Sequence, residues 1–121
     1  MTRYAAGRRK EYDAVQRLRA AGWRAQRSAG SRGLWDVVAV KPGQRVRLIQ
    51  CKYTALAPTF LARPVPGVLD ANARALLALE ASDVPCDVEL WVYHRGTAQP
   101  LTYVTYPGTV VDWMLDASRL L

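Results

Sequence analysis

LWDVVAVKPGQRVRLIQCKY, residues 34–53, holds a β-branched apolar run, a Pro-Gly turn and a second apolar run that ends in an amide and an amine. A continuous apolar run of this kind is a strand buried on both faces. KPGQ at 41–44 is a turn, so the flanking strands are expected to form a hairpin. If Val40 pairs with Arg45, Asp36 falls opposite Ile49, within one residue of Gln50. Residues two apart in a strand share a face, which puts Gln50 and Lys52 on one side and Ile49, Cys51 and Tyr53 on the other. Ile49 and Cys51 suit a core. An amide and an ammonium are costly to bury without partners, and Asp36, brought in across the hairpin, is such a partner.

Upstream, Gly7 to Ala21 (GRRKEYDAVQRLRAA) places Tyr12, Val15 and Leu18 at helical spacing, with Gly22 as a stop. This predicts an amphipathic helix with a cationic outer face. Trp23 to Ser28 reads as a short strand, followed by the loop AGSRG at 29–33. Downstream, residues 55–66 carry three prolines and read as an irregular connection. GVLDANARALLALEAS, 67–82, is expected to be a second helix with Leu69, Ala73, Leu76 and Leu77 on one side. DVELWVYHR and LTYVTY read as two strands around a turn at Gly96, and TVVDWMLDASRLL, 109–121, as a closing helix. The order of elements implies an α/β fold, a central mixed sheet of about five strands with helices on its faces, spanning 1–121 as a single domain.

The net charge is +7, and it is unevenly spread. Residues 1–52 carry 13 Lys and Arg against Glu11, Asp13 and Asp36, whereas 53–121 carry four against seven acids. The basic half is the surface expected to meet a polyanion, and 14 of the 17 cations are Arg, whose planar fork suits phosphate oxygens. Cys51 and Cys86 have neither metal-ligand spacing nor the density of a disulfide scaffold. No stretch approaches the roughly 18 apolar residues of a membrane span. The expectation is a soluble, cytoplasmic protein with reduced thiols.

The polar groups of the hairpin suit metal-assisted hydrolysis. Asp36 offers a hard anionic oxygen to Mg²⁺, Gln50 a neutral carbonyl oxygen, and the Cys51 backbone carbonyl another. Lys52 would orient or help deprotonate the attacking water, or offset charge in the transition state. Glu11, from the first helix, would complete the set. Each residue also has a plainer reading. Asp36 would pair with Arg27 or Arg32, Lys52 would be solvated, Glu11 would bridge to Arg8 or Arg19 on the helix surface, and Ser31 would be a turn residue. His94, the sole histidine, reads as structural.

WDVVAV followed by IQCK resembles the PD-(D/E)xK (restriction-endonuclease-like) nuclease core, an acid on one strand and acid-x-Lys on the next. With Glu11, Gly22–Trp23 and RSAGS at 27–31 in the same order, the chain is similar to the archaeal-type Holliday junction resolvases over residues 7–54. The resemblance implies Glu11, Asp36 and Gln50 as metal ligands, Lys52 as the catalytic lysine and Ser31 as a loop serine needed for cleavage. It implies Arg8, Arg9, Lys10, Arg27 and Arg32 as phosphate contacts. It further implies Mg²⁺, with Mn²⁺ as a substitute, and a homodimer acting on four-way DNA. Gln50 stands where an acid is usual, and Tyr12 where these resolvases often have Arg. Two other functions stay open: a related nuclease acting on other DNA, and a junction-binding module whose catalysis Gln50 has weakened.

Overall fold

The computed structural model describes residues 3–28, 34–57, 63–81, 86–106 and 112–116. Among them, two helices pack against a mixed six-stranded sheet. The order is α1 (Arg3–Ala20), β1 (Arg24–Arg27), β2 (Val37–Val40), β3 (Val46–Thr54), α2 (Ala71–Ala81), β4 (Cys86–His94), β5 (Leu101–Tyr106) and β6 (Asp112–Leu115). Strands lie side by side in chain order, and all neighbours are antiparallel except β3 and β4. A parallel pair needs a crossover, and α2 supplies it.

The two helices cover opposite faces. Ala14, Val15 and Leu18 of α1 bury against Ala25, Val37, Ala39, Ile49, Trp91 and Tyr93. On the far side Ala73 and Leu76 of α2 join Leu48, Val88, Leu90, Val92, Tyr103 and Trp113. Because β3 and β4 are covered on both faces, almost every residue of β4 and the middle of β3 are buried. Alternation therefore sorts side chains by layer: Gln50 and Lys52 lie on the α2 side, Ile49 and Cys51 on the α1 side.

Four expectations are corrected. The segment expected as a closing helix contains β6, which pairs with β5 and buries Trp113, so the sheet has six strands instead of about five. The hairpin register is Val37 to Ile49 and Ala39 to Arg47, one residue away from the expected pairing, because the connection from Lys41 takes an extra residue before pairing resumes. Asp36, just before the paired residues, bonds through its N–H to the Ile49 carbonyl, within one residue of Gln50. The inward stripe of α1 runs through Ala14, Val15 and Leu18, and Tyr12 is 51% exposed. The second helix starts at Ala71 after a 3₁₀ turn at Pro66–Val68, since Asp70 caps it.

A buried ion pair lies in the α1 layer. Arg47 donates two 2.6 Å hydrogen bonds to Glu89, and both residues are 1% exposed or less. Trp91 Nε1 donates to the same carboxylate at 3.0 Å. The guanidinium lies 4.8 Å from the Trp23 ring centroid. The bidentate geometry and the indole donor are what allow two charges to sit inside the fold.

Candidate active site

The site forms at the end of the hairpin where β2 and β3 separate. Glu11 lies three residues before Ala14 and one turn before Val15, so the stripe that anchors α1 also turns its carboxylate toward the sheet. Asp36 immediately precedes β2; its N–H donates to the Ile49 carbonyl at 2.8 Å, and its own carbonyl accepts from Ser28 N–H at 2.7 Å. Its side chain continues the ladder: Oδ2 accepts the Cys51 backbone N–H at 2.9 Å. Asp36 is thus fixed to β3 by both backbone and carboxylate.

Gln50 is 2% exposed, and its Oε1 has no hydrogen-bond partner among the described residues. A buried carbonyl oxygen left bare costs the fold its desolvation, which makes it a donor atom in waiting. Lys52 Nζ is ion-paired with Asp70 at the start of α2. Asp70 Oδ1 accepts the Ala73 N–H at 2.9 Å, the bond of an N-cap.

On the α1 side, Arg27 Nε lies 3.2 Å from Glu11 Oε1, and its NH1 donates to the Tyr12 hydroxyl at 3.3 Å. Lys10 sits 5.1 Å from the Tyr93 ring centroid and 5.5 Å from that of Tyr53. Arg8 and Arg9 are exposed on α1. Ser31 and Arg32 lie outside the described residues.

These groups feel one another. Burial pushes the Asp36 carboxyl up; the Cys51 N–H and Lys52 oppose the shift, and the charge of Asp70 adds to it. Burial also raises Glu11, with Asp36 next in effect, against the pull of Arg27 and Arg8. Asp36 hinders the ionisation of Glu11, and Asp70 that of Asp36, so acids crowd this end of the sheet. Among the described residues, no three His, Cys, Asp or Glu form a group able to hold a metal ion. The oxygen set here is two carboxylates and one amide, Asp36 lying between Glu11 on one face and Gln50 with Lys52 on the other.

The structure ties Asp36 to β3 at Cys51, between Gln50 and Lys52 in sequence, and puts Glu11 within electrostatic reach of Asp36 but bridged to Arg27. Asp36 is held by the Cys51 N–H and also feels the charge of Arg27, and Glu11 is bridged to Arg27, from β1, with Arg8 adding its charge. Asp70 was not anticipated. An Asp directly before ANARALL is an N-cap signal, although nothing in the linear sequence pairs it with Lys52.

The family model of the archaeal Holliday junction resolvases (Hjc) matches residues 2–65. The chain belongs to this family. Membership makes it a nuclease acting on DNA junctions, of a family that works with metal ions. No curated protein sequence matches it. Among solved structures, Archaeoglobus fulgidus Hjc, a Holliday junction resolvase from an archaeal hyperthermophile, is similar at a TM-score of 0.58 and 19% identity, covering 95% of this chain and 86% of that one. At that identity the likeness establishes the fold, an α/β nuclease fold.

Proposed function

We propose that this chain is a Mg²⁺-dependent, structure-selective endodeoxyribonuclease that resolves four-way DNA junctions by hydrolysing backbone phosphodiesters, and that residues 1–121 act as one nuclease domain in a cytoplasmic homodimer. The observation that carries the reading is Gln50 Oε1, buried and without a partner among the described residues, two residues from Lys52 on β3 and next to Cys51, whose N–H donates to the Asp36 carboxylate. The hard oxygen donors suit a small divalent cation. Asp36 and Gln50 would hold it, with Glu11 and the Cys51 carbonyl completing the set; Mn²⁺ would substitute. When bound, the ion supplies a Lewis acid at the scissile phosphate and makes water a nucleophile near neutral pH.

The chain's own residues do the rest. Lys52, a compact charge on a flexible stem, orients the attacking water and offsets the negative charge that develops on the phosphate oxygens. Arg27 is held to Glu11 in the free protein; transfer of its guanidinium to a DNA phosphate would leave that carboxylate free to help hold the ion. Arg8, Arg9 and Lys10 surround the same end of α1 and position the backbone, as phosphate contacts do without reading bases. Ser31 and Arg32 take the cleavage and phosphate roles that the family resemblance implies.

The test is incubation of the protein with labelled four-way junction and matched linear duplex, in Mg²⁺, Mn²⁺ or EDTA, beside Asp36→Asn and Lys52→Ala. Symmetric nicking of the junction that needs the metal and both side chains is expected. Equal cutting of linear duplex would transfer the enzyme to another substrate, and metal-independent cutting would remove the mechanism.

A further inference from the structure

With Gln50 in place of an acid, the β3 strand brings a cation and a neutral amide to the site, and the hairpin's negative charge is the single carboxylate of Asp36, just before β2. A Lys beside a single half-buried carboxylate has two disadvantages. Its long stem is free to leave the reacting phosphate, and its charge repels the cation that the site needs.

Asp70 bears on both. Its two oxygens have separate tasks: Oδ1 is tied to the Ala73 N–H at 2.9 Å, which fixes the carboxylate to the rigid first turn of α2, and Oδ2 receives the Lys52 Nζ. The Asp70 carbonyl also accepts the Arg74 N–H at 3.1 Å, so the residue is the cap of the helix by backbone and side chain alike. A partial positive charge at the helix start favours a carboxylate there. Burial would push the Asp70 carboxyl up, yet the Lys52 and Ala73 bonds outweigh it and hold it below its usual range. The cap of α2 is thus joined by an ion pair to the strand that carries Gln50.

We propose, on the reading of the site given above, that Asp70 is a positioning residue of the cleavage centre: from the cap of α2 it holds Lys52 beside Asp36 and Gln50, and returns to the site the negative charge that Gln50 does not carry.

The experiment uses Asp70→Ser and Asp70→Asn, which keep a capping oxygen and remove the charge, with thermal melts to confirm folding. Single-turnover cleavage of a labelled four-way junction in Mg²⁺ is measured beside junction affinity in EDTA and Mn²⁺ binding by electron paramagnetic resonance without DNA. The expected result is a loss of about 10- to 100-fold in cleavage rate and a weakening of Mn²⁺ binding, the size typical for residues that support a metal site from behind its ligands. Junction affinity should stay the same. Gln50→Glu in the Asp70→Ser background should recover both Mn²⁺ binding and rate, since it restores the missing charge on β3. Unchanged rate and Mn²⁺ affinity in the Asp70 variants overturn the proposal, as does a loss that Gln50→Glu leaves unrepaired. A wild-type protein that does not cut the junction, or an Asp36→Asn variant that still does, instead defeats the reading of the whole site.

Discussion

Asp36 is held in place by a bond that an asparagine can also make: the Cys51 N–H needs an oxygen, charged or not. The charge itself is a burden on the free protein, because burial, and to a lesser degree the charge of Asp70, raise the carboxyl. A raised carboxyl means that the folded chain binds its proton more tightly than the unfolded chain does. That contribution to stability is complete below the ordinary carboxylate range and is lost as pH climbs through the raised value. Asp36→Asn should thus melt close to wild type in acid and above it at neutral pH, while junction cleavage falls by about 100-fold or more for want of the ion's anionic oxygen. Thermal melts at several pH values in EDTA, with nicking assays, check both halves; a variant less stable than wild type at neutral pH would refute the stability argument. Divalent metal should raise the wild-type melting temperature at neutral pH and leave that of Asp36→Asn nearly unmoved.

At the scale of elements, the hairpin and both helices were legible because their information is local. The apolar run at 37–40, the turn at 41–44 and the spacing of Val15 and Leu18 each point to one geometry. What escaped depends on partners distant in sequence. Trp113, Met114 and Leu115 form an unbroken apolar triplet that suits a helix or a strand, and only the free edge of β5 decides it. Arg47 reads as a surface residue in a linear pattern; its partner Glu89 lies 42 residues away. The same holds in the site, where Asp36, Gln50 and Lys52 were visible on one hairpin but the Lys52–Asp70 and Glu11–Arg27 pairs join separate elements. Two outcomes follow from this packing. Trp113→Ala should cost about 3–5 kcal/mol in urea unfolding, the usual loss for a buried Trp, and a much smaller loss would mean that β6 does not close the core. Breaking the buried pair by Arg47→Met should cost about 3–5 kcal/mol, whereas Arg47→Met with Glu89→Leu should recover most of it. A double-mutant cycle on unfolding free energies checks the coupling.

For the whole molecule, the uneven charge has a physical address. Arg8, Arg9 and Lys10 lie on α1 and Arg27 on β1, all at the end where Glu11 and Asp36 meet. Arg19 and Arg24 flank Trp23, Val38 and Val40 in a groove of about 440 Å³ at the β1 edge. Arg95, in the acidic half of the chain, follows β4 in the turn before β5. A polyanion drawn to the basic layer releases counterions in proportion to the phosphates neutralised, so affinity falls linearly with log salt. Arg8→Ala and Arg9→Ala should each weaken junction binding in EDTA and flatten the slope of log K against log salt by about one. Arg95→Ala should leave the slope alone. Because phosphate contacts carry no base information, the losses should be equal for junctions of unrelated sequence but the same four-way shape. Fluorescence anisotropy over a salt series, with two junction sequences, separates the cases: a slope insensitive to Arg8 and Arg9 would move the DNA to another face, and a loss confined to one sequence would mean that α1 reads bases.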